Sequence, residues 1–260
     1  MENDKHFSFG KNWKSYNKKN TEILKTKAEE DLNYFLGDLS NKTFIDIGSG
    51  SGVHSLAALK LGAKNLVATD YDNDSVEATK DLLINSYEND SKYDVFQDDI
   101  LDSNIKQNFD IVYSWGVLHH TGNMWKAIDN ASELVSEDGL FYISIYVKNR
   151  FCGVWTQIKK TYTYGGFFTK LIMSIVWYPL HFIRKVLNGS IFADQGRGML
   201  WFYDSRDWLG GYPYESATMD EIIHYIELKG FKTLKTRNTE PSFGIFGSGC
   251  ADYLFKKQSN

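Results

Sequence analysis

A glycine-rich turn with an acid at its start is the stretch of this sequence best suited to bind a ligand. Its letters, DIGSGSG, run from Asp46 to Gly52 and continue an apolar run that begins at Thr43. Glycines allow the backbone to turn sharply and to approach a ligand without steric clashes from Cβ atoms. Backbone amides at the start of a following helix can then donate hydrogen bonds to a carboxylate or a phosphate. A tight turn with a purely structural role is the alternative interpretation.

The spacing of these glycines separates the ligand classes that use such turns. A nicotinamide fingerprint, GxGxxG, would need its third glycine at the position that Val53 occupies. A P-loop is excluded, because no Gly-Lys-Ser or Gly-Lys-Thr triplet follows. The observed pattern is GxGxG, and Asp46 ahead of it can accept hydrogen bonds from loop amides or from a ligand ammonium group. A nicotinamide oxidoreductase remains the rival on fold grounds, although the spacing disfavours it.

Two further acids follow later apolar runs. Asp70 ends the run that begins at Asn65, and a carboxylate there suits the two hydroxyls of a ribose. Asp99 follows the next run, where it could accept a hydrogen bond from an adenine amino group while Ile100 packs on the ring. Each acid alone could be a helix cap or a turn residue. Together with Asp46, three acids at the ends of successive strands predict a nucleoside-containing ligand.

This order of residues resembles that of the class I S-adenosylmethionine-dependent methyltransferases, whose D/ExGxGxG loop, ribose acid and adenine acid follow one another in the same way. The resemblance covers residues 40–147 well and 219–256 more loosely. It implies that the loop surrounds the methionine part of the cofactor, and that Tyr71 packs on the second face of the adenine. The cofactor-binding residues expected on this basis are Asp46, Gly48, Gly50, Gly52, Asp70, Tyr71, Asp99, Ile100, Ser114 and Trp115.

The segment SWGVLHHT, which starts at Ser114, is where we expect the reacting end of the site. It resembles the VLHH segment of small-molecule methyltransferases of the ubiquinone-biosynthesis, or methyltransferase type 11-like, group. His119 and His120 are therefore the candidate catalytic residues, because a histidine can remove the proton of a hydroxyl acceptor near neutral pH. Alternate residues of an extended segment face opposite sides, and we favour His119 as the residue that faces the pocket. The alternative is that one histidine only bonds the loop backbone.

Two differences from related families narrow the substrate. DNA and RNA base methyltransferases often carry Asn-Pro-Pro-Tyr or a similar proline motif at this place, and its absence here disfavours an N6-adenine substrate. Some quinone-type relatives bind a metal at this place through acids and a histidine. Gly116 and His119 occupy those acidic positions in this sequence, so we expect no metal.

Residues 150–215 are rich in aromatic residues and glycines and break the strand–helix alternation, so we expect an insert that caps the site. Arginines there can hold a carboxylate or a phosphate, and aromatic side chains supply rigid faces. The substrate-binding residues expected are Trp13, Tyr146, Arg197, Arg206, Trp208, Tyr212 and Tyr214. The N-terminal arm either folds over the same mouth or packs on the sheet as an ordinary helix. A purely structural loop is the alternative for the insert.

Short apolar runs that alternate with helix-like segments predict an α/β fold with a Rossmann-like, mostly parallel sheet. The resemblance adds an antiparallel last strand near Ala251–Phe255. The strands expected are Thr43–Ile47, Asn65–Thr69, Tyr93–Gln97, Phe109–Ser114, Gly139–Tyr146, Phe231–Arg237 and Cys250–Lys256. Helices are expected at 20–37, 55–61, 74–86, 125–135 and 219–228. The predicted organisation is an N-terminal arm and helix (1–39), a cofactor-binding core (40–149), a cap insert (150–216) and a C-terminal helix with two strands (217–260).

The composition favours a small-molecule enzyme in a reducing compartment. A net charge of −4 and a pI near 5.9 argue against broad binding of nucleic acid. Two cysteines build neither a disulfide framework nor a zinc pattern, and the polar N-terminus lacks a signal peptide's apolar run, so we expect a cytoplasmic protein. Leu171–Ile183 is too short to span a bilayer. We expect a cap helix on the sheet or a dimer face there, with peripheral membrane contact as the alternative, in a monomer or homodimer.

We therefore expect an enzyme that transfers a methyl group from S-adenosylmethionine to an oxygen atom of a small molecule and releases S-adenosylhomocysteine (SAH). A sugar- or phosphate-bearing precursor of a surface glycan or a secondary metabolite would suit the arginines. The alternatives are an N- or C-methyltransferase, and a regulatory protein that binds the cofactor without catalysis. The intact loop, the ribose acid and the aromatic cap argue against the regulatory protein.

Overall fold

One seven-stranded sheet organises the computed structural model, which describes residues 21–87, 90–187, 208–238, 244–245 and 247–259. The strands are β1 (Thr43–Ile47), β2 (Asn65–Asp70), β3 (Tyr93–Gln97), β4 (Phe109–Trp115), β5 (Val135–Tyr146), β6 (Phe231–Arg237) and β7 (Cys250–Lys257). Their order across the sheet is β3-β2-β1-β4-β5-β7-β6. The first five strands pair in parallel, whereas β7 is antiparallel to both β5 and β6. The predicted Rossmann-like sheet with an antiparallel last strand is confirmed.

The strand order reverses between β1 and β4, and this reversal decides where a ligand can bind. The chain runs outward from β1 through β2 to β3, and then returns to place β4 on the other side of β1. β1 and β4 pair from Phe44 opposite Ile111 to Asp46 opposite Tyr113. Because the connections after β1 and β4 lead away from each other, a crevice opens at the carboxyl ends of these two strands.

Helices cover both faces of the sheet. They are α1 (Thr21–Leu36), α2 (Val53–Lys60), α3 (Asn73–Ser86), α4 (Met124–Glu133), α5 (Cys152–Tyr164), α6 (Phe167–Leu187) and α7 (Met219–Glu227). Short 3-10 helices lie at Asp90–Lys92 and Leu118–His120. Asp72 starts α3, because its side chain accepts a hydrogen bond from the Asp74 amide at 3.0 Å. Thr218 and Glu221 form a capping box that starts α7.

Each face of the sheet has its own apolar cluster. On one face, Ile128 of α4 and Ile222 of α7 are buried together with Ile143 of β5. On the other face, α1, α2 and α3 pack on the sheet, with Leu32 and Leu56 among the buried residues. Burial on both faces explains why the central strands are continuous apolar runs rather than alternating ones.

The expected elements differ from the structure mainly around the start of β5. The helix expected to reach residue 135 ends at Glu133, and β5 begins at Val135 rather than at Gly139. The pairing of β4 with β5 shifts its register between Phe109 and Ile111, and Asp138 has a φ of 59°. Polar residues occupy this irregular stretch, so its sequence carries no apolar signal for a strand.

The expected cap insert contains two long helices, α5 and α6, in its described part. Trp155 of α5 packs edge-on against Trp177 of α6, with ring centroids 4.9 Å apart. A third apolar cluster, called the cap cluster below, joins these helices to the segment after residue 207 and consists of Cys152, Trp155, Tyr162, Trp177, Leu209 and Tyr214. The apolar run expected to pack on the sheet lies in α6 and packs mainly on α5 instead. Among the helices described, none combines the length and the apolar character needed to cross a membrane.

Candidate active site

The glycine turn after β1 folds back over the end of β2. The amides of Gly48 and Ser49 both donate hydrogen bonds to the Thr69 carbonyl oxygen, at 2.8 and 2.9 Å. The glycines at 48, 50 and 52 have φ values of 78°, 55° and 82°, a backbone region that other residues rarely adopt. The turn therefore has the left-handed conformation that its glycines predict.

Two of these glycines also make room for protein neighbours. A Cβ atom on Gly48 would lie 2.3 Å from Cγ2 of Val117, in the segment after β4. A Cβ atom on Gly52 would lie 2.9 Å from the Cα atom of Thr79 in α3. The close approach at Gly48 brings the turn after β1 against the segment that carries the two histidines.

Asp46 lies beneath the turn and is almost fully buried. Its Oδ2 atom accepts a hydrogen bond from the Ser55 hydroxyl at 2.6 Å, in the first turn of α2. Burial raises the pKa of Asp46 to about 7, although the bond from Ser55 opposes this shift. A carboxylate held in this way costs free energy to ionise, unless a positive charge comes close.

Asp70 connects the end of β2 to the glycine turn. Its two carboxylate oxygens accept hydrogen bonds from the amides of Gly50 and Asp72, each at 2.9 Å. Burial raises the pKa of Asp70 to about 6, against the effect of these bonds. Each oxygen keeps a second lone pair, so two ribose hydroxyls could still donate to it. Tyr71 next to it is 53% exposed, which leaves its ring accessible to a ligand.

The end of β3 places the third acid beside the second. The Asp98 amide donates to the Asp70 carbonyl oxygen at 3.1 Å, so the two strand ends are adjacent. Asp99 is half-buried, and its Oδ1 atom accepts a hydrogen bond from the Leu101 amide at 2.9 Å. Ile100 is 6% exposed and belongs to the core on the α4 face, so it presents little surface to a stacked ring.

The two cofactor residues expected at the end of β4 have structural contacts. Ser114 is fully buried, and its hydroxyl donates to the Ile47 carbonyl oxygen at 3.0 Å. Trp115 packs near His54 of α2, with ring centroids 5.7 Å apart. Burial lowers the pKa of His54 to about 4. Beyond these residues, a Cβ atom on Gly116 would meet no atom within 4 Å, so the space next to the end of β4 is open.

The candidate histidines lie in a 3-10 helix, not in the extended segment that the sequence analysis assumed. That premise is wrong, and the two rings consequently lie side by side, with centroids 4.5 Å apart. The ring of His119 is fully buried, and its centroid is 4.1 Å from that of Tyr146. The ring of His120 is half-buried and lies 5.4 Å from the same tyrosine ring.

A hydrogen bond orients the ring of His120. Its Nδ1 atom lies 2.7 Å from the carbonyl oxygen of Pro213. A carbonyl oxygen can only accept a hydrogen bond, so Nδ1 carries the proton. In the neutral imidazole, Nε2 then keeps the basic lone pair.

The aromatic residues expected to bind substrate divide into two groups. Tyr146 packs against Trp208 and Tyr214, with centroid distances of 5.5 and 5.1 Å, and this group covers the histidines. Tyr212 packs instead on Tyr164 of α5, at 5.8 Å. The other three expected residues, Trp13, Arg197 and Arg206, lie outside the described residues.

Glu215 fastens the segment after Trp208 onto the histidine turn, and the sequence analysis missed it. Its amide donates to the His119 carbonyl oxygen at 3.0 Å, and its Oε2 atom accepts from the Met124 amide at 2.9 Å. Burial raises the pKa of this carboxyl. Its partners are about ninety residues away in the chain, so no local pattern could have indicated the contact.

Lys159 is a second residue that the sequence analysis missed. It is fully buried, donates to the Trp208 carbonyl oxygen, and places Nζ 3.8 Å from the centroid of the Trp208 ring. The Tyr214 ring lies at 5.0 Å from the same atom. A signal was present, because Lys159 shares one helix face with Trp155 and Tyr162, where an apolar residue would be ordinary.

The reversed strand order, the left-handed glycine turn and the acids beside it define a class I S-adenosylmethionine-dependent methyltransferase. A family model described as ribosomal protein L11 methyltransferase (PrmA) matches residues 29–176, more than half of the chain, and the chain belongs to this family. S-adenosylmethionine is therefore its cofactor, and the open space beyond β4 and the acceptor oxygens of Asp70 fit that molecule. The matched range contains β1 to β5 and α5, but not the segment 208–217.

The sequence likeness to a curated relative is confined to a short stretch. The ribosomal protein L11 methyltransferase of Legionella pneumophila (strain Lens) is 58% identical to this chain over 43 residues. That stretch is 16% of this chain and 15% of the relative, so the chain spans only a small part of the relative's length. The relative's activity therefore enters below only as a proposal for this chain.

Solved structures are similar over most of the fold. The magnesium protoporphyrin IX methyltransferase of Synechocystis PCC 6803 with bound SAH has a TM-score of 0.56 at 14% identity, and the match covers 90% of this chain and 83% of that one. An O-methyltransferase family protein from Burkholderia thailandensis has a TM-score of 0.55 at 13% identity, with 92% and 56% covered. At these identities the likeness shows the fold alone.

Proposed function

We propose that this methyltransferase acts on an oxygen atom of a small molecule, with His120 as the general base. The observation that carries the proposal is the 2.7 Å contact between Nδ1 of His120 and the Pro213 carbonyl oxygen. This contact leaves Nε2 as the basic nitrogen of a half-buried ring beneath the aromatic cap. The contact moves the proposed base from His119, which the sequence favoured, to its neighbour.

The chemistry that the chain has to supply is modest. The bound sulfonium brings a methyl group that is already activated. Bound S-adenosylmethionine would supply the methyl group to the acceptor oxygen and leave as SAH, and Nε2 of His120 would take the acceptor proton. The net positive charge thus moves from the sulfur to the imidazole. General bases of this kind typically contribute about 10²–10⁴-fold to the rate.

The same geometry supports a proposal for which residues contact each part of the cofactor. We propose that Asp70 accepts the ribose hydroxyls, and that Asp99 and Tyr71 contact the adenine. The loop glycines would surround the methionine part, above Asp46. Support comes from the adjacency of the turn and the strand ends, which the amides of Gly48 and Asp98 connect.

The aromatic cap supports a small acceptor. Tyr146 packs on the histidine rings, Trp208 and Tyr214 pack on Tyr146, and the Glu215 amide bonds the histidine turn. Aromatic side chains of this kind suit an acceptor with a flat or apolar part. Packing of the acceptor against them would exclude water from the methyl transfer. Trp208, Tyr214 and Glu215 lie outside the range matched by the family model, whereas Tyr146 lies within it.

A protein acceptor is the second candidate, and the family match favours it. The curated relatives are named as methyltransferases of ribosomal protein L11, and the family model reaches into α6. If the acceptor were a protein nitrogen, the methyl transfer would depend less on His120, because an unprotonated amine already has a free lone pair and needs no base to expose it. The two candidates therefore differ both in substrate and in dependence on His120.

A parallel assay separates the candidates. The full chain is incubated with cofactor carrying a labelled methyl group, with a panel of phenols, carboxylic acids and sugars in one set of tubes and purified ribosomal protein L11 in another. We expect label in a small-molecule product and none in the protein. Label in ribosomal protein L11 alone would overturn the proposal in favour of the second candidate.

Substitution of the base tests the assigned role. His120→Gln should reduce turnover of the small acceptor by about 10²–10⁴-fold, because proton removal loses its base. The dissociation constant for SAH, measured by calorimetry, should not change. His119→Gln is the matched control and should have the smaller effect; the reverse ranking would return the role to His119.

A further inference from the structure

The outer face of α6 is apolar along its length although it faces solvent. Phe168, Ile172 and Ile175 are 76%, 62% and 63% exposed. Ile183 and Val186 continue the same face at helical spacing and are exposed as well. A helix on the surface of a globular protein ordinarily turns charged and polar residues outward, so this face has the opposite character.

The inner face of the same helix fixes this orientation. Trp177 and His181 are buried, and their rings stack with centroids 5.4 Å apart. Trp177 also packs on Trp155 in the cap cluster. Rotation of α6 to hide its outer face would expose the cap cluster instead. The helix therefore presents a contiguous apolar patch, and patches larger than a few hundred Å² mark interaction sites.

The charged residues of α5 and α6 have a single sign. α5 and α6 contain five Lys or Arg residues and no Asp or Glu, in a chain whose net charge is −4. Lys160 and Lys170 are exposed. Lys170 and Arg184 lie seven residues on either side of Trp177, so they belong to the inner face of α6, near its two ends. Long basic side chains can lie along an apolar surface while their charged ends stay in water. An apolar face on a helix whose charged residues, on its other face, are all cations is the pattern of helices that lie on anionic bilayers.

We propose that α6 is an interfacial helix that docks this protein on an anionic lipid bilayer. Its apolar face would enter the boundary between headgroups and acyl chains, and the positive charge of α5 and α6 would attract the protein to lipid phosphates. Trp177 ties this helix to the cap cluster, so docking would hold the cap and the site beneath it at the bilayer surface. Binding of lipid does not depend on which acceptor the enzyme methylates.

A second copy of the chain is a poorer occupant of this patch. A two-fold pairing of α6 would bring the same surface of each copy together. Such a pairing would bring together two pairs of helices, α5 and α6 of each copy, that carry only positive charge, and neither helix has an acid to offset it. An anionic bilayer satisfies both the apolar face and the cations.

Vesicle sedimentation of the full chain tests the proposal. One set of vesicles is phosphatidylcholine alone, and the other is phosphatidylcholine with roughly 30% phosphatidylglycerol, which is anionic. We expect sedimentation with the anionic vesicles, a clear reduction at high salt because of screening, and little with the neutral ones. Ile172→Glu/Ile175→Glu should weaken binding to anionic vesicles by at least ~10-fold, the effect of removing apolar contact and adding like charge.

The control carries the same added charge elsewhere. Leu228→Glu/Leu234→Glu replaces two exposed apolar residues that are 73% and 46% exposed, outside α6, and should bind vesicles like the wild type. Circular dichroism melting confirms that both variants fold. The proposal fails if neither vesicle binds at millimolar lipid, if both double variants lose binding equally, or if ultracentrifugation shows a dimer that only the α6 variant dissociates. A binding result stands whether or not the assay of small acceptors succeeds.

Discussion

The cofactor side of the sheet and the cap over its edge are held by different kinds of contact. On the cofactor side, Asp70 bonds the amide of Gly50 in the neighbouring loop, and β1 and β2 are consecutive strands. In the cap, Glu215 bonds Met124 and Lys159 bonds Trp208, across separations of 91 and 49 residues. The first set follows from the order of adjacent strands. The second set exists only after distant segments have docked.

This difference has a functional consequence. The cofactor side lies within the range matched by the family model, whereas the segment that closes the cap lies beyond it. An acceptor pocket made by long-range contacts can change without disturbing the cofactor loop. A shared cofactor site therefore does not fix the identity of the acceptor.

The largest effect that would test the cofactor side is expected at Gly48. Gly48→Ala should lower the free energy of unfolding by about 2–5 kcal/mol, because it adds left-handed strain and a clash with Val117. Gly116→Ala is the matched control, with a φ of 74° but open space around its Cβ, and should cost only about 1–2 kcal/mol. Urea unfolding measures both values; equal losses would show that strain alone matters.

A pH effect of slightly smaller size is expected from Asp46. Its pKa is raised from 3.8 to about 7 by burial, so the folded protein holds this proton more tightly than the unfolded chain. The resulting stability is complete below the unfolded pKa of 3.8, falls as pH rises from there, and is lost once pH passes the folded pKa of about 7, by roughly 2–4 kcal/mol. Asp46→Asn should flatten the dependence of urea midpoints on pH between 4 and 8. Because the raised pKa of Asp70 acts in the same direction, part of the pH dependence should remain in this variant. A pH dependence as steep as that of the wild type would contradict the role of Asp46.

Cofactor affinity should respond to Asp70 by a moderate amount. Asp70→Asn keeps the shape but removes the charge that accepts from the Gly50 amide and, as proposed, from the ribose. We expect SAH binding to weaken by about 1–3 kcal/mol, the scale of a hydrogen bond to a charged group. Titration calorimetry measures this change. If the folded variant bound SAH with wild-type affinity, the proposed contact between Asp70 and the ribose would be wrong.

The smallest effect is expected on the cap side. Glu215→Gln keeps one oxygen that can accept from the Met124 amide but removes the charge. We expect a small displacement of the histidine turn, which should raise the activation free energy of methyl transfer by about 1 kcal/mol. Turnover of the acceptor should fall several-fold, while SAH affinity stays at the wild-type value. Loss of SAH affinity in this variant would contradict the separation of the two regions.

Local patterns were sufficient for most elements and for the cofactor loop. β1 and β3 have the bounds that their apolar runs indicate. The pattern could not show that Ser114 turns its hydroxyl onto Ile47, because that contact requires the pairing of two strands. The same holds for the 3-10 turn of the histidines, whose conformation is fixed by bonds from the cap.

By itself, the sequence determined the fold class and the cofactor. Apolar periodicity and glycine spacing are local properties of the chain. Because the strands are parallel, residues that follow them lie at the same edge of the sheet. Only the tertiary structure decided that His120 is oriented by Pro213, that Lys159 is buried against Trp208, and that α6 exposes its apolar face. Those features depend on packing between segments far apart in the chain, and no local pattern encodes the distance between them.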